Sequence, residues 1–129
     1  MSGPPPQLRR GGRLKDKSLG ARGEDLALRF LVGHGYTLVE RNYRTRRWEI
    51  DLIVRHDDTL VFVEVKLRRG TGFGDPLESV TPRKQKTLRS VAEHYLYTRK
   101  PRFDTLRFDV IGILADRSGV RVHHVEDAF

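Results

Sequence analysis

Two apolar runs joined by a short polar turn decide the fold of this chain: Trp48-Glu49-Ile50-Asp51-Leu52-Ile53-Val54 and Leu60-Val61-Phe62-Val63-Glu64-Val65-Lys66-Leu67. Both runs are rich in β-branched and aromatic residues, which favour strands. Asp57-Asp58 between them suits a tight hairpin turn. The second run is apolar at consecutive positions, which is typical of a strand covered on both faces. The sequence therefore predicts a β-hairpin in the middle of a sheet.

Two charged residues interrupt the second strand. Glu64 and Lys66 are two positions apart, so they share one face of the strand with Phe62. An ionised side chain in a covered strand is costly unless it is paired, bound to a metal or part of a functional site. A salt bridge at a sheet edge is the plain alternative to a functional site.

The hairpin register brings a further carboxylate to this place. If Asp57-Asp58 is a two-residue turn, His56 lies opposite Thr59 and Asp51 lies opposite Glu64. Opposed Cβ atoms are about 4.5 to 5.5 Å apart, at which distance two like charges repel. A divalent cation would turn this repulsion into a binding site, and Mg²⁺ prefers carboxylate oxygens.

The remaining elements complete an α/β chain in the order α-β-β-β-α-β-β. A helix is predicted from Ser18 to the glycines at 33 and 35, and a second opens with Thr81 as N-cap and Pro82 and ends before Pro101. The further elements are strands at 36–44, 107–114 and 120–125, a basic turn at 44–47 and a glycine-rich loop at 68–80. A strand, helix and strand in succession predict a parallel pair, hence a mixed central sheet flanked by the two helices.

Length and composition narrow the class of protein. The chain has 129 residues, the size of one domain, and its lack of cysteine excludes disulfides and thiolate metal sites. No apolar run resembles a membrane span or a signal peptide, so we expect a cytoplasmic protein without membrane contact. Residues 1–17, which contain Pro4-Pro5-Pro6 and several Arg and Lys residues, are expected to form a disordered basic arm before a domain at 18–129.

The charge favours a polyanionic partner. The chain has 25 Lys and Arg against 17 Asp and Glu, a net charge of +8, and nucleic acid is the first candidate. A genome-wide bias towards arginine codons would give the same excess. Arg46, Arg47, Arg68 and Arg69, in the basic turn and at the start of the glycine-rich loop, are the candidate contacts to the phosphate backbone.

At these carboxylates the sequence resembles known families. Asp51 followed by Glu64-Val65-Lys66 resembles the Asp…Asp/Glu-x-Lys signature of the restriction-endonuclease-like nucleases, whose core order is αβββαβ. Over about Ser18 to Ile113 the chain resembles the YraN-like family of small bacterial proteins, which is similar to Holliday-junction resolvases. That resemblance is carried by Gly20-Ala21-Arg22-Gly23-Glu24, Gly35-Tyr36, Arg41-Asn42, Glu49-Ile50-Asp51-Leu52-Ile53, Phe62-Val63-Glu64-Val65-Lys66, Phe73-Gly74, Lys84 and Arg107-Phe108-Asp109-Val110. Trp48 stands where the family usually has glycine.

The resemblance implies a role for each site residue. Asp51 and Glu64, with the carbonyl of Val65, would bind Mg²⁺ or Mn²⁺, and Lys66 would stabilise the attacking water and the phosphate charge. Glu24 on the first helix would add a carboxylate, and Lys84 and Gln85 on the second would reach the phosphate. For Glu24 the alternative is simple compensation of the helix dipole.

Several neighbouring residues have simpler interpretations. Glu49 should face the same side as Asp51, two residues away, and it is explained equally well as a partner of Arg46 or Arg47. Trp48 could stack on a base, but an aromatic residue at the start of a strand is more often a lid on the core, and we expect the lid. Asp109 is expected to be structural, bonded to an arginine, and all five histidines are expected at the surface.

These observations predict a metal-dependent endonuclease that hydrolyses phosphodiester bonds of DNA, in preference to RNA, and selects DNA structure rather than base sequence. A homodimer would let two sites act on two strands. The alternative is a non-catalytic nucleic-acid-binding or adaptor module with the same fold, and a third is a scaffold whose charges serve solubility alone.

Overall fold

The structure is a computed structural model that describes residues 11–69 and 75–129, with side chains from Gly20 onward. Its elements follow the predicted order and add one short 3₁₀ helix, Pro76–Ser79. The helices and strands are α1 Gly11–Gly33, β1 Thr37–Arg44, β2 Glu49–His56, β3 Thr59–Arg69, α2 Pro82–Arg99, β4 Thr105–Asp116 and β5 Gly119–Val125.

The five strands form one sheet in the order β1-β2-β3-β4-β5. The pair β3 and β4 is parallel, and α2 lies between these two strands in the chain, as a strand, helix, strand succession requires. The other three pairs are antiparallel. The predicted mixed sheet of the restriction-endonuclease-like core is therefore confirmed.

Each face of the sheet has its own hydrophobic core. The α1 face buries the alternate residues Val61 and Val63 of β3 with Ala27 and Leu31 of the helix. The α2 face buries Phe62, together with Leu60, Leu88, Val91 and Tyr95. A strand with large apolar residues on both sides is covered on both faces, as the continuous apolar run predicted.

The ends of α2 are set by local chemistry, as predicted. Thr81 is the N-cap, and its hydroxyl oxygen accepts a hydrogen bond from the N–H of Lys84 at 3.1 Å. Pro82 follows at the first helical position, where its missing N–H has no cost. Lys100 ends the helix in the left-handed conformation, with φ 48°, directly before Pro101. The cap thus fixes the first turn of α2, which contains Lys84.

Two boundaries differ from the prediction. Helix α1 begins at Gly11 rather than at Ser18, so the backbone of 11–17 is helical where we expected a disordered arm. Residues 1–10 lie outside the described part, and their disorder stays a prediction. The glycine-rich loop is shorter than expected, because β3 continues to Arg69 and the 3₁₀ helix begins at Pro76, with 70–74 also outside the described residues.

A buried carboxylate joins β4 to the chain end. Asp109 is fully buried and accepts hydrogen bonds from the guanidinium of Arg107 at 2.7 and 3.0 Å and from the N–H of Asp127 at 3.0 Å. His124 Nε2 lies 2.7 Å from the same carboxylate. The structural role predicted for Asp109 is confirmed. The surface position predicted for His124 is wrong, because its ring is needed to satisfy this carboxylate.

Among the described residues, no helix combines the length and the apolar character needed to span a bilayer.

Candidate metal centre

The centre begins where β2 and β3 stop pairing. The hairpin pairs residues from His56 with Thr59 to Leu52 with Val63, which is the predicted register. Beyond this pair the side chain of Asp51 replaces the backbone ladder, since its Oδ2 accepts a hydrogen bond from the N–H of Val65 at 2.8 Å. Asp51 is therefore tied to the strand that contains Glu64.

Strand β2 changes face at Asp51. Ile50 packs in the core on the α2 side and Leu52 in the core on the α1 side, although residues two apart share a face in a regular strand. The neighbouring strand is irregular at the same place, because Asn42 has φ 53°, in the left-handed region. This irregularity lets carboxylates from both sides of the strand converge beside Asp51.

Three carboxylates meet at this point. One oxygen from each of Glu24, Glu49 and Asp51 lies within 4.8 Å of the other two. Asn42 connects two of them, because its side-chain Nδ2 donates to Glu24 Oε1 at 3.1 Å and to Glu49 Oε2 at 2.8 Å. An amide nitrogen has two hydrogens, and both are used to hold carboxylates. We call Glu24, Glu49 and Asp51 the acidic triad.

Two arginines compensate part of the triad's charge, since Arg41 Nε lies 3.4 Å from Glu24 Oε1 and Arg44 Nη2 lies 3.0 Å from Glu49 Oε1. Burial, followed by the nearby charge of Glu64, raises the pKa of Asp51 to about 8, although the bond from Val65 acts in the opposite direction. Burial also raises the pKa of Glu24, against the hydrogen bond from Asn42 and the charge of Arg41. Oxygen donors crowded in this way are the donor set that hard divalent cations bind. The triad can hold a metal ion.

Glu64 lies beside the triad in a different environment. It is buried, with 5% of its surface exposed, and its Oε2 lies 3.4 Å from Lys66 Nζ and 3.6 Å from Lys84 Nζ. Lys84 comes from the first turn of α2, which the Thr81 cap holds in place. The salt bridge considered as an alternative for Glu64 and Lys66 is thus present, and it lies next to Asp51.

The other predicted site residues occupy the surroundings. The side-chain nitrogen of Gln85 donates to the carbonyl of Val80 at 3.0 Å, so this end of the amide is engaged with the backbone before α2. Arg46 and Arg47 are exposed in the turn between β1 and β2, and Arg68 and Arg69 are exposed at the end of β3. Their roles, like those of Glu64, Lys66, Lys84 and the Val65 carbonyl, stay predictions.

Sequence reasoning missed Glu49 and Asn42. Glu49 forms its ion pair with Arg44 at 3.0 Å, not with Arg46 or Arg47, and joins the acidic triad. Its position two residues before Asp51 was the one available signal. The expectation that Trp48 forms a lid on the core is wrong, because this residue is 47% exposed.

A protein-family model matches the part of the chain that contains this centre. The model of "Uncharacterised protein family UPF0102" matches residues 23–113, a segment that contains the whole acidic triad, Glu64 and both lysines. The chain belongs to the UPF0102 family. This finding bears out the predicted YraN-like resemblance.

UPF0102 relatives match along nearly their full length. The UPF0102 protein of Syntrophomonas wolfei is 44% identical over 114 residues, which cover 88% of this chain and 99% of that protein. The relative from Clavibacter michiganensis is 48% identical and covers 81% and 89%, and that from Geotalea daltonii is 43% identical and covers 95% and 97%.

Among solved structures, the calcium complex of SfsA from Pyrococcus furiosus is similar at a TM-score of 0.33 and 11% identity. The match covers 86% of this chain and 63% of that one.

Proposed function

We propose that this UPF0102 protein is a divalent-metal-dependent endonuclease that hydrolyses phosphodiester bonds of DNA, with Mg²⁺ or Mn²⁺ as its metal. The observation that carries the proposal is the acidic triad around Asp51, adjacent to a buried glutamate with two lysines. Carboxylates for a hard cation beside ammonium groups for a phosphate are the two parts that such hydrolysis needs.

The cation would be held by the acidic triad. Asp51 is its most firmly placed member, because the Val65 N–H fixes one of its oxygens and leaves the other free to bind. Asn42 keeps Glu24 and Glu49 facing the same point. When bound, the cation supplies a Lewis acid that polarises the phosphate and makes water more acidic. Glu64 and the carbonyl of Val65, which the sequence predicted as ligands, lie on the adjoining strand.

The two lysines would act on the phosphate. Lys66 and Lys84 hold their ammonium groups near one oxygen of Glu64, from β3 and α2 respectively. An ammonium group stabilises negative charge that grows on a phosphate in the transition state. Glu64 would keep both ammonium groups beside the candidate metal centre, where a phosphate could be bound. Gln85 follows Lys84 on the same helix and would contact the phosphate through the second hydrogen of its amide nitrogen, since the first is donated to Val80.

DNA would be bound chiefly through its phosphates. The exposed arginines at 46 and 47 lie in the turn between β1 and β2, those at 68 and 69 lie at the end of β3, and the chain as a whole has a net charge of +8. Binding of this kind weakens steeply with salt. It distinguishes DNA structures rather than base sequences, because phosphates carry no sequence information. The protein would act in the cytoplasm, and a homodimer would cut both strands.

Cleavage of branched, flapped and single-stranded DNA in Mn²⁺ tests this function. Wild type should cut at least one of these substrates, and Glu64→Gln and Lys66→Ala should lose cutting while they remain folded. Glu93→Gln and Lys86→Ala, two exposed charges on α2, serve as matched controls. Equal cutting by all five proteins would reveal a contaminant and contradict the proposal. Retarded migration of DNA without cutting would favour the non-catalytic binding module.

A further inference from the structure

The single tryptophan of the chain stands on an ordered turn. Trp48 is 47% exposed at the end of the loop between β1 and β2. The N–H of Thr45 donates to the carbonyl of Trp48 at 2.8 Å, and the N–H of Trp48 lies 3.3 Å from Thr45 Oγ1. The turn is closed by its own hydrogen bonds, so the backbone that carries the indole has a defined position.

An exposed aromatic residue is common and by itself indicates nothing. The position of Trp48 is what distinguishes it. Arg46 and Arg47, both exposed, precede it in the same turn, and Glu49 of the acidic triad is the next residue. Trp48 therefore precedes the strand that carries Glu49 and Asp51, and its turn lies at the same end of β2 as the triad.

We propose that Trp48 is a stacking platform for an unpaired nucleobase, and that the substrate class is DNA with a single-stranded segment at the cut. This inference rests on the proposed function and specifies its substrate. Aromatic side chains beside basic residues bind single strands, because the ring stacks on a base while the charges follow the backbone. Arg46 and Arg47, which precede Trp48 in the turn, would supply the positive charges for the DNA backbone.

Duplex DNA does not fit this platform. The faces of its bases are covered by their neighbours in the helix, and a base becomes available for stacking only after it is unpaired or turned out of the duplex. Flaps, forks and single strands offer such bases without that cost. The platform therefore favours these structures over an intact duplex that has the same phosphate charge.

Intrinsic fluorescence reports on this contact directly. The chain has one tryptophan, so its emission comes from Trp48 alone. We expect oligo(dT), added in EDTA, to quench this emission as it binds, because a stacked base quenches an indole. An abasic oligonucleotide of equal length tests the phosphates alone and should bind with little quenching. Equal quenching by the two oligonucleotides, or none by either, would overturn the proposal.

Affinity measurements provide the second readout. By anisotropy of labelled oligo(dT), Trp48→Ala should bind about 5- to 150-fold more weakly, the range expected for one lost stack. Trp48→Phe keeps a ring and should retain most of the affinity. Tyr97→Ala removes the 78% exposed aromatic of α2 and should bind as wild type does. Unchanged affinity in Trp48→Ala would overturn the proposal.

The two proposals fail in different ways. Stacking is measured in EDTA and needs no catalysis, so a protein that stacks oligo(dT) but cuts no DNA in Mn²⁺ contradicts the nuclease alone. A protein that cuts flaps and intact duplex equally well, with Trp48→Ala as active as wild type, contradicts the stacking platform alone. An indole that serves as a contact for another protein would give this second result.

Discussion

The carboxylate of Asp51 accepts a hydrogen bond from the backbone N–H of Val65, at the point where β2 and β3 stop pairing. At this point a side-chain carboxylate, rather than a backbone carbonyl, accepts the hydrogen bond that joins the two strands. Asp51 is also a member of the acidic triad, so one carboxylate both bonds to the neighbouring strand and takes part in the candidate metal centre. The two tasks can be separated by substitution.

Asp51→Asn should keep the fold and remove the carboxyl group, whose pKa burial raises to about 8. Its amide oxygen can still accept the bond from Val65, and the variant no longer has an acid that must be protonated or desolvated on folding, so the free energy of unfolding without metal should be equal to or above that of wild type. Asp51→Ala loses the acceptor as well and should be less stable by about 1 to 3 kcal/mol, the cost of an unpaired polar group. Urea unfolding in EDTA measures both. Equal destabilisation in the two variants would contradict this role of the hydrogen bond.

Asn42→Gly should weaken metal binding more than it weakens the fold. Glycine accepts the left-handed backbone at this position but has no amide to hold Glu24 and Glu49. Loss of a residue that orients metal ligands typically costs about 10- to 100-fold in metal affinity. Asp57→Gly, at the hairpin turn with φ 54°, is the matched control. Calorimetry with Mn²⁺ should show the loss in Asn42→Gly and an unchanged affinity in the control.

Lys84→Ala should lower kcat for DNA cleavage by about 100-fold. Removal of one strong donor to a developing oxyanion typically costs about 10² to 10³ in rate, and Lys84 is 35% exposed, so its effect should be towards the lower end. Lys86→Ala removes an exposed charge from the same helix and should leave kcat unchanged. Equal rates for the two variants would show that Lys84 acts only through the overall charge.

Asp109 should be important for stability but not for cleavage. Asp109→Ala leaves Arg107 and His124 without their shared buried partner, which typically costs about 3 to 5 kcal/mol. Asp116→Ala breaks the exposed pair with Arg121 and should change stability little. Chemical unfolding compares the two, and similar values would contradict the role of the buried carboxylate.

The same carboxylate predicts acid sensitivity. Burial would raise the pKa of Asp109, but hydrogen bonds from His124 and Arg107 outweigh it and hold the pKa below its usual value. A lowered folded pKa adds stability in full above the unfolded pKa of about 3.9, and this stability is lost as the pH falls through the folded pKa. The stability difference between wild type and Asp109→Asn should therefore shrink below about pH 4. A stability difference that stays constant as the pH falls from about 4 through the folded pKa of Asp109 would contradict this prediction.

The sequence predicted the hairpin well because its signals are local. Asp57-Asp58 set the turn and, through it, the register, so the approach of Asp51 to β3 followed by counting. It did not predict that Glu49 joins the acidic triad, because that depends on the change of face at Asp51 opposite a left-handed Asn42. His124 was misjudged for a similar reason: its burial depends on Asp109, a partner on another strand.

Calorimetric titration of Mn²⁺ into wild type and Asp51→Asn tests the central claim most directly, with Glu93→Gln as a control for an exposed charge. Wild type and the control should show saturable binding, and Asp51→Asn should lose it, since the triad would then have a neutral amide in place of its central carboxylate. Identical isotherms for wild type and Asp51→Asn, or no heat of binding in any of the three proteins, would contradict the claim that these carboxylates hold a metal ion.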